Sequence, residues 1–161
     1  MARLLIVFHS RTGAARQMAE AAARAAAAEA ECRMLPAEAA GPADLLAADG
    51  YLFAGPENLA ALSGPMKDFF DRCYYPVLER LNGRPYALLI AAGSDGTGAA
   101  RQAARIATGW RLRPVAEPLI VCTRAQTPEA ILAPKHLAEA DLRRCEELGA
   151  ALGAGLALGI F

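Results

Sequence analysis

Residues 4–15 read Leu4-Leu5-Ile6-Val7-Phe8-His9-Ser10-Arg11-Thr12-Gly13-Ala14-Ala15, and the fold turns on the change of pattern inside this stretch. Leu4 to Phe8 is an unbroken apolar run, the mark of a strand buried on both faces of a parallel sheet. Two hydroxyls and a glycine then interrupt it. From near Gly13 to about Ala30 the pattern is helical: Arg16, Glu20 and Arg24 recur every four residues as a solvated stripe, with Glu20 placed to pair with Arg24. The opposite side is almost all alanine, so this helix is expected to lie close to the sheet.

The same alternation continues along the chain. A short second strand is expected at Cys32 to Leu35, followed by Pro36 and the Gly41-Pro42 punctuation, then a brief helix from Asp44 to Ala48. Gly50 to Gly55 reads as the third strand, with Tyr51, Leu52 and Phe53 supplying β-propensity. In the next helix Pro65 suits the first turn, Met66, Phe69, Phe70 and Cys73 fall at i, i+3, i+4 and i+7, and Pro76 ends it. Tyr86 to Ala92 is the fourth strand, and Ala99 to Thr108 the following helix, with Gly109 expected at C′. Leu119 to Thr123 is the fifth strand. A last helix is expected from about His136 to Leu152, with Leu142, Cys145, Leu148 and Leu152 on its apolar side. Strands alternating with helices imply a doubly wound parallel α/β sheet, here as a single domain over residues 1–161.

Composition narrows the function classes. Seventeen Lys and Arg balance seventeen Asp and Glu, so no strong field recruits nucleic acid or a membrane surface. Cys32, Cys73, Cys122 and Cys145 are scattered and form no C-x-x-C pair, which argues for free thiols over a disulfide framework or zinc site. Neither the apolar run after Arg3 nor the Gly- and Ala-rich stretch from Leu148 to Phe161 has the length of a signal core or a membrane span. A cytoplasmic protein is expected.

In an open α/β sheet, ligands bind beyond the carboxyl ends of the strands, and three loops there have unusual compositions. The first, His9 to Ala15, brings two hydroxyls, a permissive glycine and a helix N-terminus together, the donor set that an anionic phosphate needs. It carries neither the Walker spacing nor G-x-G-x-x-G. Capping of the helix by Ser10 and Thr12 would explain the hydroxyls equally well. The second loop runs Pro56-Glu57-Asn58-Leu59-Ala60-Ala61-Leu62-Ser63-Gly64 into the amphipathic helix. The third, Gly93-Ser94-Asp95-Gly96-Thr97-Gly98, has three glycines that let backbone approach a flat ligand. No G-x-S-x-G elbow and no metal-ligand cluster is present.

Ser10-Arg11-Thr12-Gly13 after an apolar strand resembles the phosphate loop of flavodoxins and flavodoxin-like NAD(P)H oxidoreductases, [ST]-x-T-G-x-[TN], with Ala15 where the family has a hydroxyl or amide. Gly64 to Arg72 is similar to the G-x-[LM]-K-x-[FL]-x-D-R cadence of the flavin and quinone reductase branch. The resemblance covers about Arg3 to Leu152. It implies a five-stranded flavodoxin-like sheet of order 2-1-3-4-5 with helices on both faces. It also implies FMN as cofactor, its phosphate on Ser10, Arg11, Thr12, Gly13, Ala14 and Ala15. Pro56, Glu57, Asn58, Leu59 and Ala60 would line the flavin with Gly93, Ser94, Asp95 and Gly96. The implied activity is an FMN-dependent oxidoreductase passing electrons from NAD(P)H to a quinone, flavin or similar small acceptor, with no side chain named as catalytic. A homodimer is expected from the family alone.

Two alternatives stand beside this activity. Flavodoxin-type electron carriers, which act on a redox partner protein, are usually strongly acidic and stack aromatics on the ring. This chain is formally neutral, and its second loop has no aromatic residue. An interaction module that has lost FMN is suggested by Ala15. His9 is read as structural or phosphate-neutralising, and Trp110 as filling a groove at a helix end or contributing to a dimer interface.

Overall fold

Alternation within the strands decides the layering. In β1 (Arg3–Phe8), Leu5 and Val7 enter one core, while Leu4 and Ile6 enter the other. β3 (Gly50–Asn58) divides Tyr51 and Phe53 from Leu52 and Ala54 in the same way. β5 (Pro85–Ala92) divides Tyr86, Leu88 and Ile90 from Ala87, Leu89 and Ala91. All these side chains are buried, so both faces are covered, as unbroken apolar runs require. The computed structural model describes residues 1–161.

β2 (Glu31–Pro36), β1, β3 and β5 pair in parallel in that order. Beyond β5, β6 (Arg113–Pro114) pairs with Pro85 and Tyr86, and β7 (Leu119–Cys122) pairs with Leu89 to Ala92. The expected fifth strand, Leu119 to Thr123, is β7, and β6 is a short additional strand that precedes it on the same edge of β5. Val115 still donates to the Tyr86 carbonyl at 3.1 Å, but Pro118 has no N–H to offer and the ladder lapses before β7. With β5 and β7 as fourth and fifth strands the order is 2-1-3-4-5; the additions are β6 and β4 (Ala61–Leu62), which folds back antiparallel on β3.

One face is aromatic and the other is built from small residues. Under α2 (Pro42–Ala47), α3 (Gly64–Cys73) and α4 (Thr97–Gly109), the Phe53 ring lies 5.8 Å from Tyr51, 5.1 Å from Phe70 and 6.5 Å from Trp110. Trp110 is fully buried, and its Nε1 donates to the Tyr74 carbonyl at 3.0 Å. It belongs to the core and not to a dimer interface. On the other face, α1 (Ala14–Ala26) presents Ala22 and Ala26 to Gly149 and Gly153 of α6 (Glu139–Leu158), where a methyl would meet helix backbone.

Four local expectations are corrected. α1 ends at Ala26, short of Ala30, and the Arg16–Glu20 pair forms at 2.8 Å in place of Glu20–Arg24; Arg16 is held by the Phe8 ring, 5.9 Å away. Gly109 lies inside α4 because the Tyr74 hydroxyl occupies the space of a side chain, and the left-handed residue after the helix is Arg111, φ 58°. α6 starts at Glu139, not His136, and continues past Leu152 to Leu158. Its glycines are packing contacts and not breaks.

Candidate functional site

β1 delivers its last residues to the carboxyl edge of the sheet, where His9 N–H still donates to the Ala54 carbonyl at 3.0 Å. The chain then turns into α1 through Gly13, whose φ of 104° suits glycine. Ser10 Oγ accepts the Gly13 N–H at 3.1 Å, so this hydroxyl shapes the turn itself. The N–H groups of Ser10, Arg11, Thr12, Ala14, Ala15 and Arg16 find no acceptor in the protein. Together with the positive end of the α1 dipole they form an anion cradle. Ala15 is buried in the small-residue core, which leaves no polar side chain at the last loop position.

β3 and β4 form a hairpin around Leu59 and Ala60, both left-handed at φ 52° and 66°. Such a turn ordinarily carries Asn-Gly. Leu59 is fully exposed, so no packing explains its strained backbone. Glu57 is turned away from this tip: Oε1 accepts Gly96 N–H at 2.9 Å and Oε2 accepts Ala99 N–H at 3.0 Å. It thereby caps α4 and fixes the loop after β5. In that loop Gly96 has φ 90° against Ile120, and Gly98 sits against the Ala60 carbonyl. Asp95 accepts from Thr97 Oγ1 and N–H, and these bonds hold its carboxyl below the usual range.

A fourth wall follows β7. Thr123, Ala125 and Gln126 leave the sheet, and α5 (Pro128–Leu132) sets Ile131 and Leu132 against the opening, half or more exposed. Lys135 closes the circle: its N–H donates to the Thr12 carbonyl at 2.8 Å, and its carbonyl accepts from Gln17 Nε2 at 2.7 Å.

These segments enclose a cleft of about 490 Å³, of the size that holds a small organic ligand. Ser10, Arg11, Thr12, Ala14 and Ala15 line it from the first loop, Pro56, Glu57, Asn58 and Leu59 from the second, and Gly93 and Ser94 from the third. Gly13, Ala60, Asp95 and Gly96 do not line it. Gly13 and Gly96 make the turns, Ala60 supports α4, and Asp95 is bound to Thr97. The wall from Thr123 to Lys135 was not read from sequence; the Pro128 to Pro134 bracket around Ile131-Leu132 is its one signal. No aromatic side chain lines the cleft.

His9 stands beside the cradle with Nδ1 2.8 Å from Ser63 Oγ, and burial lowers its pKa from the ordinary 6.5. It ties the first loop to the segment before α3. Free thiols Cys73 and Cys145 lie in the two cores, where burial raises each to about 11.

A 2-1-3 sheet centre with an anion cradle after its first strand defines a flavodoxin-like α/β protein. Residues 26–123 match the model of the NADPH-dependent FMN reductase family, and the chain belongs to this flavodoxin-like, FMN-binding family. The matched residues include the second and third loops and leave β1 and the first loop outside. A flavodoxin of Aquifex aeolicus (strain VF5) is 30% identical over 100 residues, which are 61% of this chain and 54% of that protein. The match thus spans about half the length of this curated relative. Among solved structures, a flavodoxin from the domain Archaea superposes with a TM-score of 0.76 at 17% identity, covering 96% of this chain and 98% of that one. A flavodoxin, WrbA-like protein from Agrobacterium tumefaciens gives 0.76 at 19% identity, covering 98% and 99%.

Proposed function

We propose that the cleft binds FMN and that the chain is an oxidoreductase passing electrons from NAD(P)H to a quinone, flavin or similar small acceptor. The observation that carries this reading is the set of six unpartnered N–H groups around the turn into α1, five of them on residues that line a cleft walled without aromatics. These donors fit a phosphate ester, and the family fits a flavin. When bound, FMN supplies the hydride chemistry.

The chain's own share is binding and exposure. Ser10 shapes the turn, and the N–H groups of loop one hold the phosphate. Glu57 fixes the loop carrying Gly93 and Ser94, where backbone without bulky side chains lets a flat ring lie close. Ile131 and Leu132 make one wall of the cleft apolar. With no aromatic side chain in the lining to stack on it, the cleft would leave a bound flavin open to a nicotinamide and then to an acceptor. This openness favours an enzyme over a carrier.

The name of the Aquifex relative favours the second reading, a flavodoxin-type carrier. One experiment separates the two. The FMN-loaded protein is mixed anaerobically with NADPH or NADH, and the flavin absorbance is followed before and after adding a quinone. Bleaching by a nicotinamide and recovery with quinone support the reductase. Bleaching by dithionite alone, with electrons then passing only to a protein acceptor, supports the carrier.

A further inference from the structure

We infer that Lys135 is a ligand of the FMN phosphate, supplying from the far wall the polar group that Ala15 lacks. The inference rests on the flavin reading above. Lys135 Nζ donates to the Ile131 and Ala133 carbonyls at 2.8 and 2.6 Å, and lies 3.4 Å from Thr12 Oγ1. The ammonium is thus held at the cradle by two neutral acceptors and one hydroxyl. No carboxylate lies within ion-pair distance of it, whereas the chain's other lysine, Lys67, meets Asp71 at 2.7 Å.

Its backbone is fixed just as firmly. Lys135 N–H donates to the Thr12 carbonyl, and Gln17 bridges the Lys135 carbonyl and the Leu137 N–H. A half-buried cation without a counter-charge beside a helix N-terminus is electrostatically unfavourable, because it adds to the positive end of the dipole. A phosphate dianion reverses the sign of that interaction and takes a charge-assisted hydrogen bond from the ammonium in place of its long 3.4 Å contact with Thr12 Oγ1. Arg16, another cation near the cradle, is committed to Glu20 at 2.8 Å. Arg11 also lines the cleft without an ion-pair partner, so Lys135 adds a fixed second cation that favours the phosphorylated flavin over riboflavin.

The test is a pair of fluorescence titrations, FMN and riboflavin, on the wild-type chain, Lys135→Met and Lys135→Arg at low salt. The expected result is FMN affinity reduced roughly tenfold or more in Lys135→Met, the loss of one hydrogen bond to a charged group. Riboflavin affinity should stay unchanged, and Lys135→Arg should keep most of the FMN affinity. Equal weakening of both flavins would overturn the assignment, because Lys135 would then only hold α5 in place. No change for either flavin would overturn it too. Failure of the wild-type chain to bind either flavin is a separate result, seen before any variant, and removes the flavin reading along with this one.

Discussion

The carboxylate of Glu57 accepts the backbone N–H of Gly96 at 2.9 Å, so the end of β3 holds the loop that follows β5. The second carboxylate oxygen takes the Ala99 N–H at 3.0 Å and places negative charge on the first turn of α4. A residue that faces a ligand cleft in the sequence is thus committed to the frame of that cleft. Glu57→Gln leaves one N–H opposite an amide that cannot accept it. Urea denaturation should show a loss of about 1–3 kcal/mol. An unchanged midpoint would mean that water replaces the bond and the loop holds itself.

Leu59 and Ala60 adopt positive φ with nothing packed on the Leu59 side chain. Each non-glycine residue held there costs on the order of 1 kcal/mol. The double change Leu59→Asn with Ala60→Gly should therefore raise the stability of the flavin-free protein by about 1 kcal/mol, read as a higher Tm. A lower Tm would show that the hairpin tip is held by contacts of Leu59 or Ala60 and carries no strain.

Two glycines test how α1 and α6 meet. Helix propensity alone predicts that Gly→Ala stabilises by about 1 kcal/mol. At Gly149 a methyl would strike the Ala22 backbone, and at Gly153 it would lie 2.7 Å from the Ala26 carbonyl oxygen. Overpacking of this kind costs about 1–3 kcal/mol, so the net sign should be destabilising at both, more so at Gly149. A stabilised Gly149→Ala protein would mean that the helices are free to separate.

His9 gives the pH dependence a direction. Its folded pKa lies below the ordinary 6.5 because burial disfavours the imidazolium, so the unfolded chain binds this proton more readily. Stability should fall as pH drops below 6.5 toward the folded value, and be fully present above 6.5. His9→Asn, which keeps a polar partner for Ser63, should flatten that part of the profile. A wild-type curve already flat there would contradict the burial argument.

What could be read from sequence follows from burial. β1, β3 and β5 are covered on both faces, so each leaves an unbroken apolar run. Their order came from the resemblance, because right-handed crossovers fix the hand of a connection and not the order of strands. All four cleft walls follow strands, and three of them carry the Gly, Ser, Thr, Asn or Pro signals of a turn. The fourth was hidden for a physical reason: α5 has five residues, too few for any periodicity, and Lys135 is placed by its backbone and two neighbouring carbonyls. The roles of Glu57 and Gly96 were out of reach as well, since both depend on contacts between loops 39 residues apart. The stretch of α6 beyond Leu152 was not legible, because Gly153 and Gly155 carry poor helix propensity of their own. The four-residue spacing of Gly149 and Gly153 answers that of Ala22 and Ala26 only once the two helices are side by side.

The central claim is that the turn into α1 holds the phosphate of FMN. The most direct measurement is a fluorescence titration of the purified chain with FMN, set beside the Ser10→Ala, Thr12→Ala double variant. One FMN bound per chain, with affinity clearly reduced in the variant, is the predicted result. Absence of FMN binding at tens of micromolar would contradict the account and leave a flavodoxin-like fold that does not use its cradle for flavin.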